Sequence, residues 1–245
     1  MKVKNIKSFI DFYSSMGISL GIEKIERKNL SNLKKSNDLD TSKSENCFTK
    51  DSTNDLKEIY DRILNLDCNL KDIATNMVLN DGKFDSDIIF VGEAPGAEED
   101  KLGKPFVGQA GKLLDQMLNC IGLNRKINFY ITNIVFWRPP GNRTPSKNEI
   151  NTCLPITKFH IKIFQPKLIV FLGNVATKSL LKTEEGISKL RGKKLEYIDE
   201  ENNLRVPAIA FFHPAYLLRN PIEKKKVWED LIGLHNYLKD EDIRF

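Results

Sequence analysis

Four short apolar runs punctuate the chain beyond residue 86, at residues 87–91, 129–134, Leu168–Leu172 and 206–212. Each is continuous rather than alternating, too short for a buried helix, and flanked by turn-forming residues. That is the pattern of a strand covered on both faces. Between the runs, apolar residues recur at helical spacing over 111–121, 147–164 and 176–181. Upstream, Leu56, Ile59, Tyr60, Ile63 and Leu64 keep the same period. Alternating strands and helices predict an α/β protein: a three-layer α/β/α fold around a central four-stranded parallel sheet. Such sheets bind ligands outside the carboxyl ends of their strands. Gly92-Glu93, Asn133, Gly173-Asn174 and His213 all fall at such ends.

The N-terminal part is patterned differently. Ile6, Phe9, Ile10 and Tyr13 fit a short amphipathic helix over 3–16, and 28–55 is polar, rich in Ser, Asn, Lys and Asp. A stretch so poor in apolar anchors predicts a disordered linker. The expected organisation is therefore a helix plus linker over 1–55 and a globular domain over 56–245. The formal net charge of +5 permits a polyanionic partner without requiring one. No run of 18 apolar residues argues for a membrane span, and Asp11 and two serines interrupt the first apolar stretch, against a secretory signal. Cys47, Cys68, Cys120 and Cys153 show no short paired spacing, which predicts free thiols in a cytoplasmic protein.

Candidate chemistry concentrates in two places. Residues 89–111 end an apolar strand at Gly92, break at Pro95 and Gly96, add acids, and present Phe106 between Gly103, Pro105 and Gly108. Glycines let a backbone approach a ligand closely, and an aromatic ring beside carboxylates suits a flat ligand that is stacked upon and then reacted. The second place is Phe212-His213-Pro214-Ala215-Tyr216-Leu217-Leu218-Arg219-Asn220-Pro221, which follows the last strand.

Together with Tyr130-Ile131-Thr132-Asn133 and Arg138-Pro139-Pro140-Gly141-Asn142-Arg143-Thr144-Pro145, these segments, in this order, resemble the family 4 uracil-DNA glycosylases over about Cys68 to Leu238. The resemblance implies hydrolytic excision of uracil from DNA: flipping of the nucleotide, recognition of the base and cleavage of its N-glycosidic bond. It implies that Phe106 stacks on the base, worth about 1–3 kcal/mol. Asn133 would read uracil N3–H and O4 with its amide, with Gly92 and Ala94 beside the base. His213 would stabilise charge growing on O2. In the family 1 enzymes an aspartate stands where this chain has Ala94, so the carboxylate must come from elsewhere: Glu93 first, Glu99 second. Leu217 would be the minor-groove wedge, with Tyr216 or Leu218 as substitutes. Arg143, Arg191, Arg219 and Lys224-Lys225-Lys226 are candidate phosphate contacts.

One departure is large. The family pattern carries four cysteine ligands of an iron–sulfur cluster. Here Cys68 and Cys153 match two of them, while Asn65 and Trp137 stand at the other two positions. Such clusters take four ligands, so the expectation is no cofactor. The expected partner is uracil-containing DNA, met by a monomeric, monofunctional repair enzyme. A DNA-binding repair protein of the same fold with weakened catalysis is the alternative. A phosphate-binding reading of Gly103-Lys104 and Gly111-Lys112 fares poorly, since neither lysine completes the Gly-x-x-x-x-Gly-Lys-Ser/Thr pattern.

Overall fold

A computed structural model of the chain describes residues 52–245. The helix expected over 3–16 and the linker up to residue 51 lie outside the described residues. Helix α1 spans Ser52–Leu64, so helical structure begins inside the stretch read as linker. The other elements are β1 (Asn80–Gly82), β2 (Ile88–Gly92), α2 (Ala97–Leu102), α3 (Gln109–Asn119), β3 (Tyr130–Asn133), α4 (Lys147–Phe164), β4 (Leu168–Leu172), α5 (Asn174–Leu181), α6 (Ile187–Leu190), β5 (Lys194–Asp199), β6 (Leu204–Phe211), α7 (Pro214–Arg219) and α8 (Lys224–Asp240).

The sheet has six strands in the order β1-β3-β2-β4-β6-β5. The inner four, β3-β2-β4-β6, are parallel, as the apolar runs predict. The expected four-stranded sheet is extended by an antiparallel strand at each edge, β1 against β3 and β5 against β6. Neither edge announces itself as an apolar run. β1 is the tripeptide Asn-Asp-Gly, and β5 alternates exposed and buried positions because only one face is covered.

Both faces of the inner strands are buried. Ile89, Val91, Ile169 and Phe171 pack with Ile59 and Ile63 of α1, Cys153, Ile161 and Phe164 of α4, and Leu180 of α5. Their alternates Ile88, Phe90, Val170 and Leu172 are equally buried on the opposite face. There α8 packs on β6, and α3 packs on α7 and α8. Helix α4 starts at a full capping box: the Glu149 N–H donates to Ser146 Oγ at 3.3 Å and the Ser146 N–H to Glu149 Oε2 at 2.7 Å. Register then brings strand ends together. Gly92 pairs with Asn133 and Leu172 with Phe211, so residues following four parallel strands converge on one rim.

Candidate active site

At that rim lies a cavity of about 380 Å³ lined by Glu93, Ala94, Phe106, Asn133, Arg143, Thr144, His213 and Arg219, among others. Gly92 forms the closest approach. A Cβ there would lie 2.4 Å from the Phe106 ring and 2.4 Å from Asn133 Oδ1, so only glycine lets both converge. Gly173, at φ +91°, does the same for His213, whose Cβ would sit 2.8 Å from an added methyl.

Phe106 is 6% exposed and adopts φ +55°, a left-handed conformation rare for a bulky residue. Its ring centroid lies 5.7 Å from that of His213, tilted by 36°. Asn133 is 1% exposed, and its Oδ1 has no hydrogen-bond partner within the protein. A buried acceptor left open loses on the order of 1–3 kcal/mol unless something donates to it, so the amide oxygen is able to accept an N–H.

His213 caps α7: its Nδ1 accepts from the Ala215 N–H at 3.2 Å. An accepting Nδ1 leaves the proton on Nε2. Burial, with a smaller contribution from Arg219, lowers the imidazole pKa to about 4, and Glu99 opposes the shift. The ring is therefore a neutral donor at pH 7. Burial also raises the Glu93 pKa, against a hydrogen bond from the Thr144 side chain and the charge of Arg219. The Val135 N–H donates to the Glu93 carbonyl at 3.0 Å, tying Glu93 to the segment that leaves β3.

Glu99 also reaches the cavity, but its oxygens are engaged. Oε1 accepts from the Val107 N–H at 2.9 Å and the Gly108 N–H at 2.8 Å, and Oε2 from the Gly96 N–H at 3.2 Å. Arg143 forms a bidentate pair with buried Glu149 at 2.8 and 2.7 Å and remains on the rim with Thr144. Arg219 is exposed at the mouth.

Two sequence expectations need correcting. Leu217 is fully buried, because α7 turns that side into the core; the exposed apolar residues nearby are Leu218 at 40% and Ile222 at 84%. Tyr216 is half-buried, its ring 5.0 Å from Phe212. Arg191 is not a free cation: it donates to Asp230 at 2.9 and 2.8 Å and to the Lys226 carbonyl, and lies over the Phe212 ring. Sequence reasoning also missed Thr144 as a partner of Glu93.

The iron–sulfur positions do not fit a four-thiolate cluster. Cys68 and Cys153 lie together in the core, and burial pushes the Cys153 thiol up to about 12, with Cys68 adding to the shift. Trp137 is 3% exposed in the same cluster, and the Asn65 amide donates instead to the Asp61 carbonyl at 2.9 Å. Cys120 caps the end of α3, donating to the Gln116 carbonyl at 3.2 Å. Among the described residues no group of three His, Cys, Asp or Glu side chains is arranged to hold a metal ion. Cys47 lies outside the described residues.

An α/β sheet whose parallel strand ends gather a ring, an open amide, a neutral imidazole and a half-buried carboxyl defines an enzyme that handles a flat heterocycle. The comparisons agree: residues 79–232 match the model of the uracil DNA glycosylase superfamily, and the chain belongs to that superfamily. It is 42% identical to the type-4 uracil-DNA glycosylase of Sulfurisphaera tokodaii, over 66% of this chain and 75% of that protein. It is 39% identical to the type-4 enzyme of Thermotoga maritima, over 71% of this chain and 89% of the relative. With that of Pyrobaculum aerophilum the identity is 37%, over 72% and 91%.

Proposed function

We propose that this protein is a monofunctional uracil-DNA glycosylase that starts base excision repair by hydrolysing the N-glycosidic bond of a flipped-out deoxyuridine. The open Asn133 Oδ1, buried between Gly92 and the Phe106 ring, carries the reading. Uracil offers N3–H to that acceptor and O4 to the amide donors. Cytosine presents an acceptor at N3 and a donor at position 4, so both contacts turn repulsive. A bidentate pair of this kind supplies about 1–3 kcal/mol of discrimination.

Phe106 stacks on the base and His213 Nε2–H donates to O2. As the glycosidic bond breaks, its electron pair leaves with uracil and negative charge grows on O2, where a fixed donor is worth about 3–4 kcal/mol. Glu93 holds the water that adds to C1′ of the cationic sugar and takes its proton; Thr144 and Arg219 steady that carboxylate. Glu99 holds the Phe106 loop rather than the water, a division of labour supported by its three backbone partners. The product is an abasic site. Among the described residues no lysine lines the cavity, which supports hydrolysis without a Schiff base or a strand nick.

Arg143 and Arg219 contact phosphates at the mouth, and Leu218 takes the wedge role expected of Leu217, with Tyr216 behind it. The domain works without an iron–sulfur cluster, a reading supported by Asn65 and Trp137 at two of its four positions. Cys68 and Cys153, buried and outside any disulfide, support a cytoplasmic location; separately, no helix among the described residues is long and apolar enough to cross a membrane.

Single-turnover excision on matched duplexes carrying uracil or cytosine tests the reading. Wild type should release uracil and leave cytosine. Asn133→Ala should release uracil more slowly while narrowing the uracil-to-cytosine ratio, as expected from losing about 1–3 kcal/mol of discrimination. An unchanged ratio would remove Asn133 from recognition.

A further inference from the structure

The loop that carries Phe106 is held from two sides, by Arg125 from outside the cavity and by Glu99 from its wall. Arg125, in the turn between α3 and β3, is fully committed. Its Nη1 donates to the Pro105 carbonyl at 3.1 Å and to Asp81 Oδ2 at 3.0 Å. Its Nη2 donates to the Phe106 carbonyl at 2.9 Å and to Asp115 Oδ1 at 2.8 Å, and Nε donates to Asp115 Oδ1 at 3.0 Å. A guanidinium has five N–H donors in a planar fork, and all five are used. Asp81 on β1 and Asp115 on α3 fix the fork, and the fork fixes two consecutive carbonyls.

From the other side Glu99 accepts the next two amides, those of Val107 and Gly108. Gly111 closes the clamp, because a Cβ there would lie 1.8 Å from the Phe106 carbonyl oxygen. The backbone between them is held at φ +55°. A non-glycine residue in that region is strained by on the order of 1–3 kcal/mol and persists only when its surroundings over-determine it. Left unclamped, the loop would relax to an extended conformation and carry the ring away from its place beside Asn133 and His213.

We propose that Arg125 is a positioning residue for base stacking: anchored by Asp81 and Asp115, it holds the Phe106 loop in its strained conformation so that the ring is preset against uracil. The proposal rests on the reading of Phe106 as the stacking ring. Lysine cannot replace Arg125, since it offers three donors from one point and cannot span two carbonyls and two carboxylates at once.

The test compares Arg125→Lys, Phe106→Ala and the double variant of the full chain. The readouts are the single-turnover rate on a uracil duplex, inhibition by free uracil, and affinity for a duplex with an abasic site. Arg125→Lys is expected to lose roughly tenfold in both rate and free-uracil affinity, the lower part of the stacking range. Affinity for the abasic duplex should stay within about twofold, because phosphate contacts dominate it. In the Phe106→Ala background the Arg125→Lys change should add nothing. Wild-type rate and uracil affinity in Arg125→Lys, or a loss undiminished in the Phe106→Ala background, would overturn the proposal. Normal excision by Phe106→Ala would instead remove the stacking reading and the proposal with it. Should Arg125→Lys fail to fold, Glu99→Gln tests the opposite side of the clamp with the same three readouts and the same expected losses.

Discussion

At His213 the Ala215 N–H occupies Nδ1 and burial holds the pKa at about 4, so Nε2 keeps its proton, and the ring no charge, across the neutral range. Its target charge exists only as the bond breaks, so its effect belongs to the chemical step. His213→Ala is expected to lower single-turnover excision by a few hundredfold or more at unchanged DNA affinity. In the proposed mechanism Glu93 sets the acidic limb. Its pKa lies above the ordinary 4.5, and protonation removes the group that accepts the water's proton, so excision should fall as pH drops through that raised value. The same shift has a stability sign. A carboxyl with a raised folded pKa favours its protonated form, so its contribution is full at low pH and lost as pH rises. Glu93→Gln should therefore melt at a higher temperature than wild type at pH 7, with the gap closing toward pH 4, while excising almost nothing. Phe106, Asn133, His213 and Glu93 were legible because each follows an apolar run or sits among glycines. Leu217 and Arg191 were misread because burial and pairing depend on which way α7 and α8 turn, which the local sequence does not say. Arg125 lies in a polar turn with nothing to mark it.

The central strands were legible for the same physical reason that makes them central: with both faces covered, they read as unbroken apolar runs. The edge strands were not, since β1 contributes three polar residues and β5 leaves one face to solvent. Helix α4 matched its expected span residue for residue, its start marked by Ser146 and Glu149 at capping-box spacing. The end of β2 carries the tightest constraint. Gly92→Ala would drive a methyl into both the Phe106 ring and Asn133 Oδ1, and the displacement should carry through to excision. A loss of about a hundredfold is expected, the scale of a 1 Å misplacement in a site. A circular dichroism spectrum like that of wild type would show that the sheet persists.

For the molecule as a whole, the resemblance made the family visible before any geometry and marked Asn65 and Trp137 where its pattern has cysteines. Purified protein is expected to be colourless and to hold no stoichiometric iron, which elemental analysis would check. Deleting residues 28–51 is expected to leave excision intact, since the described residues lining the cavity all lie at Glu93 or beyond. Acid should unfold the domain in stages. His213 and His160 have folded pKa values lowered to about 4 and about 3, so the stability they confer is complete above the unfolded value of 6.5 and falls as pH drops below it. Glu149, lowered to about 2 by Arg143, adds a second decline below 4.5. Melting temperature followed from pH 7 to pH 3 should show both.

The most direct test of the account is single-turnover incubation of the protein, in the presence of a metal chelator, with an end-labelled duplex holding one uracil. Fragments should appear at the uracil position only after alkali, with the cytosine duplex intact and His213→Ala slower by a few hundredfold or more. No alkali-dependent fragment, or a nick before alkali with a borohydride-trapped enzyme–DNA adduct, would contradict hydrolytic uracil excision by this site.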